Sequence, residues 1–217
     1  MQALGNGAFL YRPGKDAARR PVIVLLHGAG MSGRAFLGGL RGEADRCGCL
    51  LLSVQSGGAT WDTVGLVARA GAGRVTPDRL YGADVGRVER ALATALKAAD
   101  ADGRAVVLAG FSDGASYALS LGLANPHIFR GVVAIAPGFH LEPAAIDPRQ
   151  RLFVAHSPHD RILPFERTRD ATVVPLKRAG FDVRFRPFDG GHRVDRKVLA
   201  EGLDFVLGRS AGRPRSS

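Results

Sequence analysis

Long apolar runs, dense charge tracts and a cysteine framework are all missing from this 217-residue chain. No hydrophobic stretch approaches the roughly 20 residues that a membrane-spanning helix needs, so no span is expected. The opening residues, MQALGNGAFLYRPGKDAARR, place no apolar core behind a basic start, so no signal peptide is expected either. A soluble protein of the cytoplasm is the expectation. Cysteine occurs twice, as Cys47 and Cys49 in CGC ahead of the apolar LLLSV. Two cysteines supply neither a disulfide framework nor a metal-ligand set, and alternate residues of a strand share a face. Two small thiols lining a core in a reducing compartment are therefore expected. Acidic residues are also few: 20 against 30 lysines and arginines, a formal net charge of +10. Such a field attracts nucleic acid, anionic lipid or acidic substrates. The arginines are scattered from Arg12 to Arg215, with no dense run and no interleaved aromatics. A solvated basic surface is expected rather than a nucleic-acid partner.

What remains is ordinary for a globular protein. The chain is 46% hydrophobic and 23% charged, and its length suits one domain with a sizeable core. One domain over residues 1–208 and a basic, flexible tail over 209–217 are expected. Continuous apolar runs such as PVIVLL, CLLLSV, RAVVLAG, RGVVAIA and RLFVAH read as strands buried on both faces. A short strand in GAFLYRP precedes them, and FDVRFRPF alternates like a strand near a sheet edge. Helical segments follow the strands: GRAFLGGLRGEADRCG, RLYGADVGRVERALATALKAAD opened by Thr76-Pro77-Asp78, Asp113 to Asn125, Phe165 to Ala179, and Asp195 to Leu207. The region between Ser56 and Asp78, holding Trp61, reads as irregular. Strand and helix in alternation argue for an α/β fold with a mostly parallel sheet and right-handed crossovers.

In such sheets ligands bind beyond the carboxyl ends of the strands. Polar residues stand there in four places: His27 in LLHGAG, Ser112 in AGFSDGAS, Asp160 in HSPHDRILP and His192 in DGGH. A serine hydroxyl attacks poorly at neutral pH unless a histidine takes its proton. A carboxylate on the other ring nitrogen sets the tautomer and stabilises the imidazolium. The attacked carbonyl then needs fixed donors for its oxyanion. Gly110 and Gly114, two residues either side of Ser112, allow a sharp strand-turn-helix that exposes the hydroxyl. The Asp113 amide is one donor candidate, and the HGAG loop offers another at Ala29, ahead of Gly30. His27 braces that loop. Asp189, three residues before His192, rivals Asp160 as the acid; Asp160 is preferred because it follows its own strand with Pro164 stiffening the turn. His156 and His159 compete as bases. Trp61 reads equally as substrate wall or as core anchor, and Gly30 joins it as a candidate substrate contact.

The pieces LLHGAG, TWD, GFSDGA, HSPHDRILP and GGH resemble the α/β-hydrolases, specifically the compact carboxylesterase and phospholipase-like serine esterases. The chain is also similar to the esterase-type domains of polyhydroxyalkanoate depolymerases and to dienelactone hydrolase-like proteins. The resemblance runs from Phe9 to Leu207. It implies an α/β-hydrolase fold with little or no cap, with Ser112 as nucleophile, Asp160 as acid and His192 as base. Three positions depart from the pattern: relatives often have His-Gly at His156-Ser157, close carboxylesterases usually have glutamine at Asp113, and dienelactone hydrolases proper use cysteine where Ser112 stands.

The implied activity is hydrolysis of carboxylic esters of small to medium acyl groups through an acyl-enzyme. No cofactor and no metal are expected. The partner is a small-molecule ester, and a homodimer is compatible with this. Thioesterase, lysophospholipase and polyester-oligomer hydrolase remain alternatives on the same site, and a non-catalytic binding protein is the alternative outside enzymes.

Overall fold

The continuous apolar runs become the centre of an eight-stranded sheet. The structure, a computed structural model, describes residues 1–14, 19–76, 82–97, 100–142 and 146–209. The strands are β1 (Gln2–Gly5), β2 (Ala8–Tyr11), β3 (Arg20–Leu26), β4 (Leu50–Val54), β5 (Ala101–Phe111), β6 (Gly131–Ile135), β7 (Arg151–His156) and β8 (Asp182–Pro187). Their order is β1-β2-β4-β3-β5-β6-β7-β8. All pairs from β4 to β8 are parallel, while β1 and β2 add an antiparallel edge. With helices on both faces, this is the α/β-hydrolase fold.

Alternation along each strand divides the core. In β3, Val22, Val24 and Leu26 pack on one face, and Ile23 and Leu25 on the other. The first face is covered by α2 (Asp62–Ala70), α3 (Ala83–Leu96) and α4 (Asp113–Ala124). The second is covered by α1 (Gly33–Cys47) and α7 (Arg196–Val206). Arg46 joins these two helices, with Nη1 3.0 Å from both carboxylate oxygens of Asp204. No described helix is long and apolar enough to cross a membrane.

From β3 the chain crosses to β4 on one side, and from β5 it proceeds to β6 on the other. The strand order therefore reverses between β3 and β5, the point at whose carboxyl ends such sheets place their ligands. The loop after β3 and the turn after β5 meet there. The meeting requires two glycines. A Cβ on Gly110 would collide with the Gly114 carbonyl, and one on Gly114 with the carbonyls of Leu26 and His27. All are backbone atoms, so no rotamer change relieves the overlap.

Several expectations are corrected. The region after Ser56 is not irregular throughout: α2 forms from Asp62, with Asp62 in its first turn and Val64 and Val67 packed inward three residues apart. The flanking glycines mask this pattern in the sequence. A further strand, β1, pairs with β2 around Asn6 (φ 50°) and Gly7 (φ 75°), a turn that suits a tight hairpin. β5 also starts earlier than the apolar run, at Ala101. Cys47 and Cys49 are buried, as expected. Gly48 caps α1 in the left-handed conformation (φ 62°), and this turn brings the two Cα atoms to 5.3 Å, within reach of a disulfide. The helix start at Pro77-Asp78 and the tail beyond residue 209 lie outside the described residues.

The glycine geometry predicts that Gly114→Ala destabilises the protein by about 3 kcal/mol, the upper end for overpacking, because only backbone can yield. Urea midpoints of the two proteins measure it.

Candidate active site

Ser112 stands at the hinge between β5 and α4 with φ 55° and ψ −120°. A non-glycine residue in this region carries strain of about 1–3 kcal/mol, held only where the surroundings impose it. The surroundings are the Gly110–Gly114 contact on one side and a ladder bond from Ser112 N–H to the Ile135 carbonyl (2.9 Å) on the other. α4 itself is buried all round, from Gly114 to Leu123. Two of its serines fasten the loop after β6: Ser116 Oγ accepts the Gly138 N–H at 2.9 Å, and Ser120 Oγ accepts that of Leu141 at 3.1 Å.

Three of the four strand-end residues converge. Ser112 Oγ lies 2.9 Å from His192 Nε2, and His192 Nδ1 lies 2.6 Å from Asp160 Oδ2. With the proton on Nδ1, the ring donates to the carboxylate and accepts from the serine. Phe111 supports the imidazole at 4.9 Å between ring centres. Asp189 is not in this series. Its side chain is 92% exposed and lies 3.7 Å from His159 Nε2, well out in solvent.

Asp160 is sealed from solvent yet fully paired. Oδ1 accepts the N–H groups of Ile162 (2.8 Å) and Leu163 (3.0 Å). Oδ2 accepts from His192 and from His156 Nε2 (3.0 Å). Burial pushes this carboxyl up, but the Leu163 amide, His192 and the Ile162 amide together outweigh it and hold the pKa below 3.8. For His156 burial dominates, against the pull of Asp160 and the Leu163 carbonyl, and holds its pKa below 6.5. The neutral ring must carry its proton on Nε2, which faces two acceptors, Asp160 Oδ2 and the Leu163 carbonyl (3.1 Å). Its Nδ1 lies 2.7 Å from the Thr168 hydroxyl, which donates to the Pro137 carbonyl at 2.6 Å. Thr168 opens a π-helical turn, Arg169–Val173, within the helix that runs over residues 165–178. His156 thus backs the carboxylate rather than competing for the serine.

The loop after β3 lies against Ser112: a Cβ on Gly28 would stand 3.4 Å from the Ser112 Cβ. His27 shapes it. Its Nδ1 donates to the Gly28 carbonyl (2.8 Å), while Nε2 accepts from Gln55 Nε2 (2.9 Å) and from the Ser56 N–H (3.1 Å). Gln55 Oε1 also accepts the Gly33 N–H at 2.8 Å. The Gly30 N–H is taken by the Ala59 carbonyl at 2.7 Å. Those of Ala29 and Asp113 have no acceptor among the described residues, and Asp113 is the first residue of α4, where intrahelical partners run out.

The Asp113 carboxylate accepts the Thr60 hydroxyl at 2.5 Å. Trp61 occupies the core instead of a substrate wall. It is fully buried, stacks on Tyr117 at 4.8 Å and donates from Nε1 to the His27 carbonyl at 2.9 Å. Thr60, Gln55 and Ser56 escape a sequence reading. Only Gln55, a polar residue directly after a buried strand, carries a signal.

This arrangement can activate a hydroxyl, store a proton on a paired imidazole and offer two free amides beside it. No family model matches the sequence, and no curated protein matches it. Solved structures do match in fold. A carboxylesterase from Mesorhizobium loti is 21% identical with a TM-score of 0.69, covering 95% of this chain and 97% of that one. A carboxylesterase from Bacillus cereus is 19% identical with a TM-score of 0.65, covering 92% of each chain. Acyl-protein thioesterase 2 from Zea mays is 18% identical with a TM-score of 0.59, covering 93% of this chain and 97% of that one.

The pKa directions predict acid lability. His156 and the likewise buried His140 are held below 6.5 in the folded chain. Below pH 6.5 the unfolded chain therefore binds more protons, and stability falls as pH falls. Asp160 adds loss of the same sign once pH drops below 3.8. Urea midpoints measured from pH 7.5 down to 5.0 should decline, and His156→Asn should flatten that decline.

Proposed function

We propose that the protein is a serine hydrolase that cleaves carboxylic esters of small to medium acyl groups. The observation that carries this is the unbroken series from Ser112 Oγ through His192 to Asp160, at 2.9 and 2.6 Å, with the serine on a strained turn. Ser112 Oγ attacks the ester carbonyl carbon, and its proton passes to His192 Nε2. The imidazolium stays paired with Asp160. The tetrahedral oxyanion accepts the free N–H groups of Ala29 and Asp113, strengthened by the amino end of α4. Collapse breaks the bond to the alcohol oxygen, which leaves with the proton from Nε2. Water then attacks the acyl-enzyme by the same path, with His192 as base, and releases the acid and free Ser112.

The four donors on Asp160 support its role as the acid that orients His192. The likeness to carboxylesterases supports the ester as substrate. Thioesters pass through the same oxyanion, and the likeness to an acyl-protein thioesterase supports thioester hydrolysis as a second reading of the same site.

A fluorophosphonate probe should label the protein at one residue, and Ser112→Ala should abolish the label. Equal labelling of both, or none of the unmodified protein, rejects the assignment. With p-nitrophenyl acetate, Asp160→Asn should lower kcat about 10⁴-fold, the loss expected when the tautomer is set wrongly. Asp189→Asn should stay within about twofold, as befits an exposed ion-pair partner. A larger loss for Asp189→Asn would reverse the choice of acid.

A further inference from the structure

The loop that carries the acid and the loop that carries the base are fastened by one buried hydroxyl. Ser157 follows His156 at the end of β7 and is fully buried. Its Oγ accepts two backbone N–H groups: that of His159 at 3.1 Å in its own loop, and that of Gly191 at 3.0 Å in the loop before α7. Gly191 is the residue immediately before His192.

That second loop needs a tie. Gly190 (φ 151°) and Gly191 (φ 72°) are consecutive residues without a Cβ, so chain sterics restrain them least of any residue. Upstream, the Phe188 N–H reaches the His156 carbonyl at 3.2 Å, and downstream Asp195 caps α7. Between these points, among the described residues, the loop meets the acid loop in three places. One is the His159–Asp189 ion pair, 3.7 Å long, between side chains 74% and 92% exposed, which holds little. Another is the His192–Asp160 bond itself, whose strength changes whenever the imidazole gains or loses a proton. The third is Ser157, which carries no charge and keeps its hold through both states.

Taking His192 as the base proposed above, we infer that Ser157 is a positioning residue. Its oxygen holds the Gly191 N–H and so sets where the imidazole stands between Ser112 and Asp160. Both acceptor sites of the hydroxyl oxygen are filled by N–H groups, so what matters is the oxygen as acceptor and not the volume of the side chain. Sulfur is a weak acceptor, so Ser157→Cys separates the two.

The test uses the full chain. In Ser157→Cys and Ser157→Ala, kcat for p-nitrophenyl acetate should fall about tenfold or more while KM stays within about twofold, as expected for a base displaced by a fraction of an ångström. The downfield proton resonance of His192 Nδ1–H should broaden or shift in both. In the unmodified protein the Gly191 amide should exchange slowly with solvent. This last measurement needs no variant and stands if either variant fails to fold. Wild-type kcat in Ser157→Cys, which packing alone would give, overturns the inference. So does a Gly191 amide that exchanges as fast as a free loop amide. If the unmodified protein neither reacts with fluorophosphonate nor turns over esters, the hydrolase reading fails. The His192 resonance and Gly191 exchange still decide the role of Ser157.

Discussion

The turn from β5 into α4 runs beneath the end of β3, with Gly114 pressed under the carbonyls of Leu26 and His27. That steric contact sets the positions of the groups around it. Because the chain has no room to relax there, Ser112 holds its positive φ, and its hydroxyl meets His192 Nε2. Because β3 ends at that point, the loop from His27 to Gly30 begins beside the serine. Main-chain packing brings the hydroxyl beside the loop after β3, and the side chains of His27, Gln55 and Trp61 fix that loop. Preorganisation of this kind is what gives fixed dipoles their value when charge develops on a substrate.

Asp160 and His192 are held by different means. Asp160 is buried, and a buried carboxylate is costly unless each lone-pair direction is filled. Two amides and two imidazoles fill them. His156 serves here as a neutral donor, kept neutral by its own burial. His192 sits on a glycine-rich loop that can adjust, so its placement depends on ties to neighbours. Main-chain packing thus places Ser112, while side-chain bonds place Asp160 and His192.

The sheet and the strand-end residues are legible in the sequence because strands buried on both faces leave uninterrupted apolar runs, and a polar residue directly after such a run stands out. Ser112 is visible in this way; Asp160 and His192 stand in the loops after β7 and β8, and the alternation of FDVRFRPF shows the edge character of β8. What is hidden depends on contacts distant in sequence or on a single torsion angle. β1 is short and mostly exposed, so its residues carry no alternation. The approach of Cys47 to Cys49 turns on the left-handed Gly48, and CGC does not announce that conformation. Trp61 goes inward because Tyr117 and the His27 carbonyl receive it, 56 and 34 residues away in the chain. Ser157 is unremarkable until Gly191 is seen beside it.

Asp113 shows how one contact decides the meaning of a residue. A carboxylate next to a developing oxyanion opposes it, and the opposition grows as the site excludes water. Two features offset this charge. It stands at the amino end of α4, where the helix dipole favours an anion, and it accepts the Thr60 hydroxyl at 2.5 Å. Thr60 belongs to the loop whose Ala59 carbonyl takes the Gly30 N–H. One loop therefore draws the carboxylate of Asp113 to itself and also takes the amide of Gly30, while those of Ala29 and Asp113 have no acceptor among the described residues. The segment read from sequence as an irregular connection thus fixes both the Asp113 carboxylate and the Gly30 amide.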